Sequence, residues 1–84
     1  MTPGVRPLIA GNWKMHGQAA EAQALARAIA AGAAGLKAEV LICPPATLIA
    51  PLSQACAGLV ALGGQDCHEA AKGAHTGDIA AAML

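Results

Sequence analysis

Leu8-Ile9-Ala10-Gly11-Asn12-Trp13-Lys14-Met15 is the stretch on which the fold of this chain turns. An apolar run passes through a glycine and then sets an amide, an indole and an ammonium on consecutive residues. In a strand, side chains alternate faces, so Asn12 and Lys14 share one face and Trp13 takes the other. That places a neutral hydrogen-bonding group and a positive charge together at the strand's carboxyl end, where parallel α/β folds bind their ligands. Gly11 leaves room for another backbone or a ligand to come close. A lysine offers three donors on a compact charge, which suits a phosphate or a developing oxyanion. Spacing alone favours an ordinary strand end, with Trp13 in the core and Lys14 in solvent.

Outward from this stretch, helices alternate with strands. Met1 to Val5 is a lead-in, and the first strand covers Arg6 to Gly11. His16 and Gly17 turn the chain into a helix from Gln18 to about Ala31, with Ala22, Leu25 and Ile29 on one face and Gly32 and Gly35 as stops. Ala38 to Cys43 is nearly continuous in apolar residues, the pattern of a strand covered on both faces of a parallel sheet. Pro44-Pro45 ends it, and Pro51 falls in the first turn of a short helix that runs to about Ala57 and closes at Gly58. A third strand spans Leu59 to Leu62. Gln65 to Gly77 is a long polar loop, of the kind that usually has a task. Asp78 is placed to cap a helix starting at Ile79, and the chain stops inside that helix. The order is βαβαβ with parallel strands and right-handed crossovers. No linker divides residues 1–84, a length that fits one small domain.

Composition excludes several functions. The 84 residues are 56% hydrophobic and 12% charged, with zero net charge, so disorder is ruled out and little charge remains to cover a surface. A chain of this length buries only about 60% of its unfolded surface. Trp13 is the sole aromatic among Phe, Trp and Tyr, and Arg6, Lys14, Arg27, Lys37 and Lys72 are scattered, which argues against nucleic acid as a partner. No apolar run reaches the ~18 residues of a membrane span, and Met1 to Pro7 lacks a signal-peptide pattern, so a cytoplasmic location is expected. Cys43, Cys56 and Cys67 are odd in number and contain no C-x-x-C pair; reduced, largely buried thiols are expected.

Other constellations fall short of a site. His68-Glu69-Ala70-Ala71-Lys72 misses the H-E-x-x-H zinc motif because a protonated amine stands in the second ligand position. Asp66, Cys67 and His68 are adjacent, and adjacent side chains diverge; no metal is expected. The glycine spacing matches neither a dinucleotide nor a P-loop fingerprint, Ser53 has no glycine elbow, and the carboxylates fall on separate elements.

Four stretches together resemble the triosephosphate isomerases: Gly11-Asn12-Trp13-Lys14-Met15, Cys43-Pro44-Pro45, Gly63-Gly64-Gln65-Asp66-Cys67-His68 and Gly73-Ala74-His75-Thr76-Gly77-Asp78-Ile79. They occur in that family's order and at its spacing. The resemblance implies a βαβαβ portion of a (β/α)₈ barrel that interconverts dihydroxyacetone phosphate and glyceraldehyde 3-phosphate, in glycolysis and gluconeogenesis, without a cofactor. Carried over by position, Lys14 is catalytic and, with Asn12, holds the triose phosphate. In a homodimer, Gln65, Gly73, His75, Thr76 and Gly77 would be interface residues bracing the partner subunit's Asn12 and Lys14.

A barrel of this kind needs ~250 residues, so this chain supplies about a third of one. The family's histidine electrophile follows strand four and its glutamate base follows strand six; His16, His68 and His75 match neither position. The 84-residue piece alone is therefore expected to be inactive and prone to associate or to remain molten. The alternatives are a non-catalytic phosphate-binding βαβαβ module and a remnant that only self-associates.

Overall fold

The computed structural model describes residues 4–84, so the start of the lead-in, residues 1–3, lies outside the described residues. Strand β1 (Leu8–Asn12) is followed by helix α1 (Ala19–Ala33), strand β2 (Glu39–Cys43), a 3₁₀ turn (Ala46–Leu48), helix α2 (Ile49–Cys56), strand β3 (Ala61–Leu62) and a second 3₁₀ turn (Ala81–Met83). The three strands form one parallel sheet in the order β1-β2-β3. This is an open α/β unit.

Register explains which side chains are covered. Ile9 pairs with Val40, Gly11 with Ile42, and Ile42 with Leu62, so these residues share one face of the sheet. Both helices lie against that face. Ile42 is buried, and Val40, Leu62 and Trp13 pack against the same cluster. Leu8, Ala10 and Asn12 of β1 fall on the other face with Leu41 and Cys43, and none of these joins the cluster that the described helices form. The expectation that β2 is covered on both faces is thus corrected: of its five residues only Ile42 is buried. Every residue of β1 is exposed, including Leu8 at 55% and Ile9 at 59%.

The face of α1 also differs from the sequence reading. Ala22, Ala26 and Ala30 are buried, whereas Leu25 is 51% exposed and Ile29 only half-buried. Alanines at i, i+4 and i+8 form a low ridge, which lets α2 come close with Leu52 and Cys56. Ala26 and Leu52 are fully buried, at 0% exposure. Small side chains therefore decide the contact, and hydrophobicity alone pointed one residue round the helix.

Terminal signals acted mostly where expected. Glu21 Oε1 accepts the Gln18 N–H at 3.3 Å, fixing the start of α1. Gly32 does not stop this helix, which runs to Ala33; the reversal comes at Gly35 with φ +80°. Pro51 lies in the first turn of α2, and Ala57 and Gly58 both adopt positive φ to end it. The third strand is shorter than expected, since Leu59 and Val60 precede the paired residues. Asp78 caps no helix. The His68 N–H donates to the Ile79 carbonyl at 2.7 Å, and Ala80 bridges to His68, so pairing across the loop holds residues 79–80 extended.

Candidate functional site

The site forms where the strands end. β1 stops at Asn12, and one further ladder bond, from the Trp13 N–H to the Cys43 carbonyl at 3.0 Å, ties the next residue to β2. Lys14 then leaves the extended region altogether, with φ +58°. Strand alternation consequently does not reach Lys14; its direction is set by a turn and not by a shared strand face with Asn12. A lysine in the left-handed region costs roughly 1–2 kcal/mol, so neighbouring groups must hold it there.

Two side-chain amides do so. Asn12 Oδ1 accepts the Lys14 N–H at 2.8 Å, a local i to i+2 turn that asparagine commonly makes. Gln65, three residues beyond β3, donates through Nε2 to the Lys14 carbonyl at 2.8 Å and to the Cys43 carbonyl at 2.9 Å. The carboxyl ends of the three strands are thereby fastened at one point. Lys14 is exposed, and among the described residues the ion pair found is a long one, Arg6 to Glu39 at 4.0 Å, which leaves the Lys14 ammonium unneutralised.

The other residues singled out from the sequence lie in a separate turn. The Asp78 N–H donates to the His75 carbonyl at 3.0 Å, and Gly77 has φ +88°. Gly73, His75, Thr76 and Gly77 are exposed and make none of the hydrogen bonds around Lys14. Sequence reasoning missed one association here. The loop folds His75 onto His68, with ring centroids 3.8 Å apart and planes 25° from parallel. Together with Asp78 these residues bring ligand atoms within 4.8 Å of one another. The arrangement is poorly set for a metal. His68 Nδ1 already accepts the Ala70 N–H at 2.8 Å, and the in-plane lone pairs of stacked rings do not converge on one ion.

An open apolar groove of about 370 Å³ lies on the helix side of the sheet, lined by Trp13, His16, Gly17, Glu21, Ala22 and Leu25. It contains neither Asn12 nor Lys14. Among the thiols, Cys56 is buried, Cys43 half-buried and Cys67 exposed; burial pushes the Cys56 thiol above its ordinary value. No described helix is long and apolar enough to cross a membrane.

An open three-stranded parallel sheet with two helices and a left-handed turn at its carboxyl edge is an incomplete α/β unit, consistent with part of a barrel. The triosephosphate isomerase family profile matches residues 7–84. Curated relatives carrying that name include those of Xanthobacter flavus and of Chelativorans sp. (strain BNC1), each 59% identical, and of Bradyrhizobium sp. (strain ORS 278), 57% identical. Each alignment covers all of this chain but only 34%, 34% and 35% of the relative. The chain belongs to the triosephosphate isomerase family and spans about a third of the length of the curated relatives it matches.

Proposed function

We propose that this chain supplies the substrate-gripping first third of a triosephosphate isomerase barrel, the enzyme that interconverts dihydroxyacetone phosphate and glyceraldehyde 3-phosphate in glycolysis and gluconeogenesis. The observation that carries this reading is the turn at Lys14. An ammonium with no ion-pair partner among the described residues is carried just past the carboxyl edge of a parallel sheet, on a backbone fastened at both its N–H and its carbonyl. A positive charge carried on such a backbone offsets both the substrate phosphate and the negative oxygen that develops when a proton leaves the carbon beside the carbonyl. Asn12 spends its Oδ1 on the Lys14 N–H, which leaves its Nδ2 donors to meet the substrate. Lys14 is thus the catalytic residue of this segment, and Asn12 and Lys14 bind substrate.

The proton transfers need a base and an electrophile from strands outside this chain, so the 84-residue chain alone does not turn over. Its unit is a homodimer of complete barrels in the cytoplasm, with Gln65, Gly73, His75, Thr76 and Gly77 at the interface. The exposed turn at Gly73 to Gly77 and the uncovered β1 support an assembly in which other surfaces bury both.

The test joins residues 1–84 in frame to the remaining two-thirds of the Xanthobacter flavus relative, and compares this completed barrel with the 84-residue chain. The completed barrel should isomerise glyceraldehyde 3-phosphate and the chain alone should not. Turnover by the purified short chain would refute the claim that it is inactive by itself; a folded but inactive completed barrel would refute its role as the gripping segment.

A further inference from the structure

The Lys14 turn is held by two amides that differ in kind. Asn12 lies two residues away and moves with the turn that it stabilises. Gln65 is 51 residues distant, and its bond ties the turn to the rest of the sheet. Its Nε2 carries two hydrogens and faces two carbonyl oxygens, those of Lys14 and Cys43, at 2.8 and 2.9 Å. Both donors are therefore used, and the amide can sit in only one orientation, because reversing it would point Oε1 at two oxygens. A carboxylate in the same place would face both carbonyls with no proton to share. The side chain needed here is an amide of glutamine's length, which is more than a filler of space would require.

We infer that Gln65 is a positioning residue. It sets the left-handed backbone of Lys14 from within the same chain, so phosphate affinity depends on Gln65 although it acts only through Lys14. This rests on the reading that Lys14 grips the phosphate. With the Gln65 amide removed, the Lys14 carbonyl loses its tie to the sheet, the turn relaxes toward ordinary φ, and the ammonium leaves its place. This in-chain role is separate from the interface role proposed above.

Calorimetric titration of the completed barrel with glycerol 3-phosphate, a phosphate monoester that cannot isomerise, tests the inference. Gln65→Met should weaken binding about tenfold, which corresponds to about 1.4 kcal/mol. Gln65→Glu should weaken it further, whereas Lys14→Ala should remove most of the affinity. On the Lys14→Ala background Gln65→Met should add less than twofold, because its target has gone. A purely structural glutamine would not show this dependence on background. Affinity within twofold of the parent in Gln65→Met, or an equal loss on both backgrounds, overturns the inference. Full affinity in Lys14→Ala instead overturns the reading on which it rests. Should Gln65→Met not fold, Gln65→Asn, which keeps an amide one methylene short, must show the same loss and the same dependence. Failure of both variants to fold assigns Gln65 to structure and also overturns the inference.

Discussion

Replacing Lys14 by glycine and by alanine separates its backbone from its charge. Both changes delete an exposed ammonium that has no ion-pair partner among the described residues, so that loss cancels in the comparison. What remains is the conformation at φ +58°. An L-residue in the left-handed region pays roughly 1–2 kcal/mol that glycine does not. Against this, glycine loses more freedom on folding, which favours alanine by about 0.4–1 kcal/mol. At mid-range the difference leaves Lys14→Gly more stable than Lys14→Ala by about 0.8 kcal/mol. In a completed barrel of ~250 residues, where 1 kcal/mol moves the midpoint by about 2–4 °C, the gap is about 2–3 °C in a calorimetric melt. The sign is decisive. At ordinary helical or extended angles glycine is the less stable residue, so an alanine variant that melts at or above the glycine variant would refute the left-handed turn.

Four further predictions concern the core, a turn and the thiols. Leu52→Ala removes a side chain at 0% exposure between α1 and the sheet and should cost about 2–5 kcal/mol, read from the urea midpoint; a loss below 1 kcal/mol would contradict the packing described. Gly17→Ala forces a side chain onto φ +110° with its Cβ 3.1 Å from Leu48 Cδ1, so about 1–3 kcal/mol should be lost, and an unchanged midpoint would contradict that close approach. Cys67 should react with a thiol reagent first and Cys56 last. Because burial raises the Cys56 thiol, the folded state holds its proton more tightly than the unfolded chain. That contribution is complete below the ordinary value of 9.0 and is lost as pH rises above it, so urea midpoints should fall more steeply from pH 8 to pH 10 than in Cys56→Ala.

The alternation of strands and helices was legible because its signals are local. Pro44-Pro45 and Pro51 fix their own φ, and Gly35 admits the positive φ of a reversal, whatever surrounds them. The buried face of α1 was not legible, because Ala26 is chosen over Leu25 by how closely α2 must approach, a property of two helices together. The end of the chain misled for a similar reason. Asp78 has the chemistry of a cap, but the long-range bond from His68 to Ile79 holds the segment extended. Asn12 and Lys14 stood out by residue type and position, and the argument from strand alternation failed at Lys14 because the strand ends two residues earlier. The in-chain use of Gln65 was hidden by 51 residues of separation. Parallel strands end side by side, and an amide just past β3 was the available hint.

The central claim is that the Lys14 ammonium, at the carboxyl edge of this sheet, grips the triose phosphate. Steady-state isomerisation of glyceraldehyde 3-phosphate by the completed barrel, with and without Lys14→Ala, measures it most directly. Loss of one fixed donor at a developing charge should lower kcat/KM by about 10²–10³-fold or more in a folded variant. A folded Lys14→Ala barrel that keeps kcat/KM within a few-fold of its parent would contradict the claim.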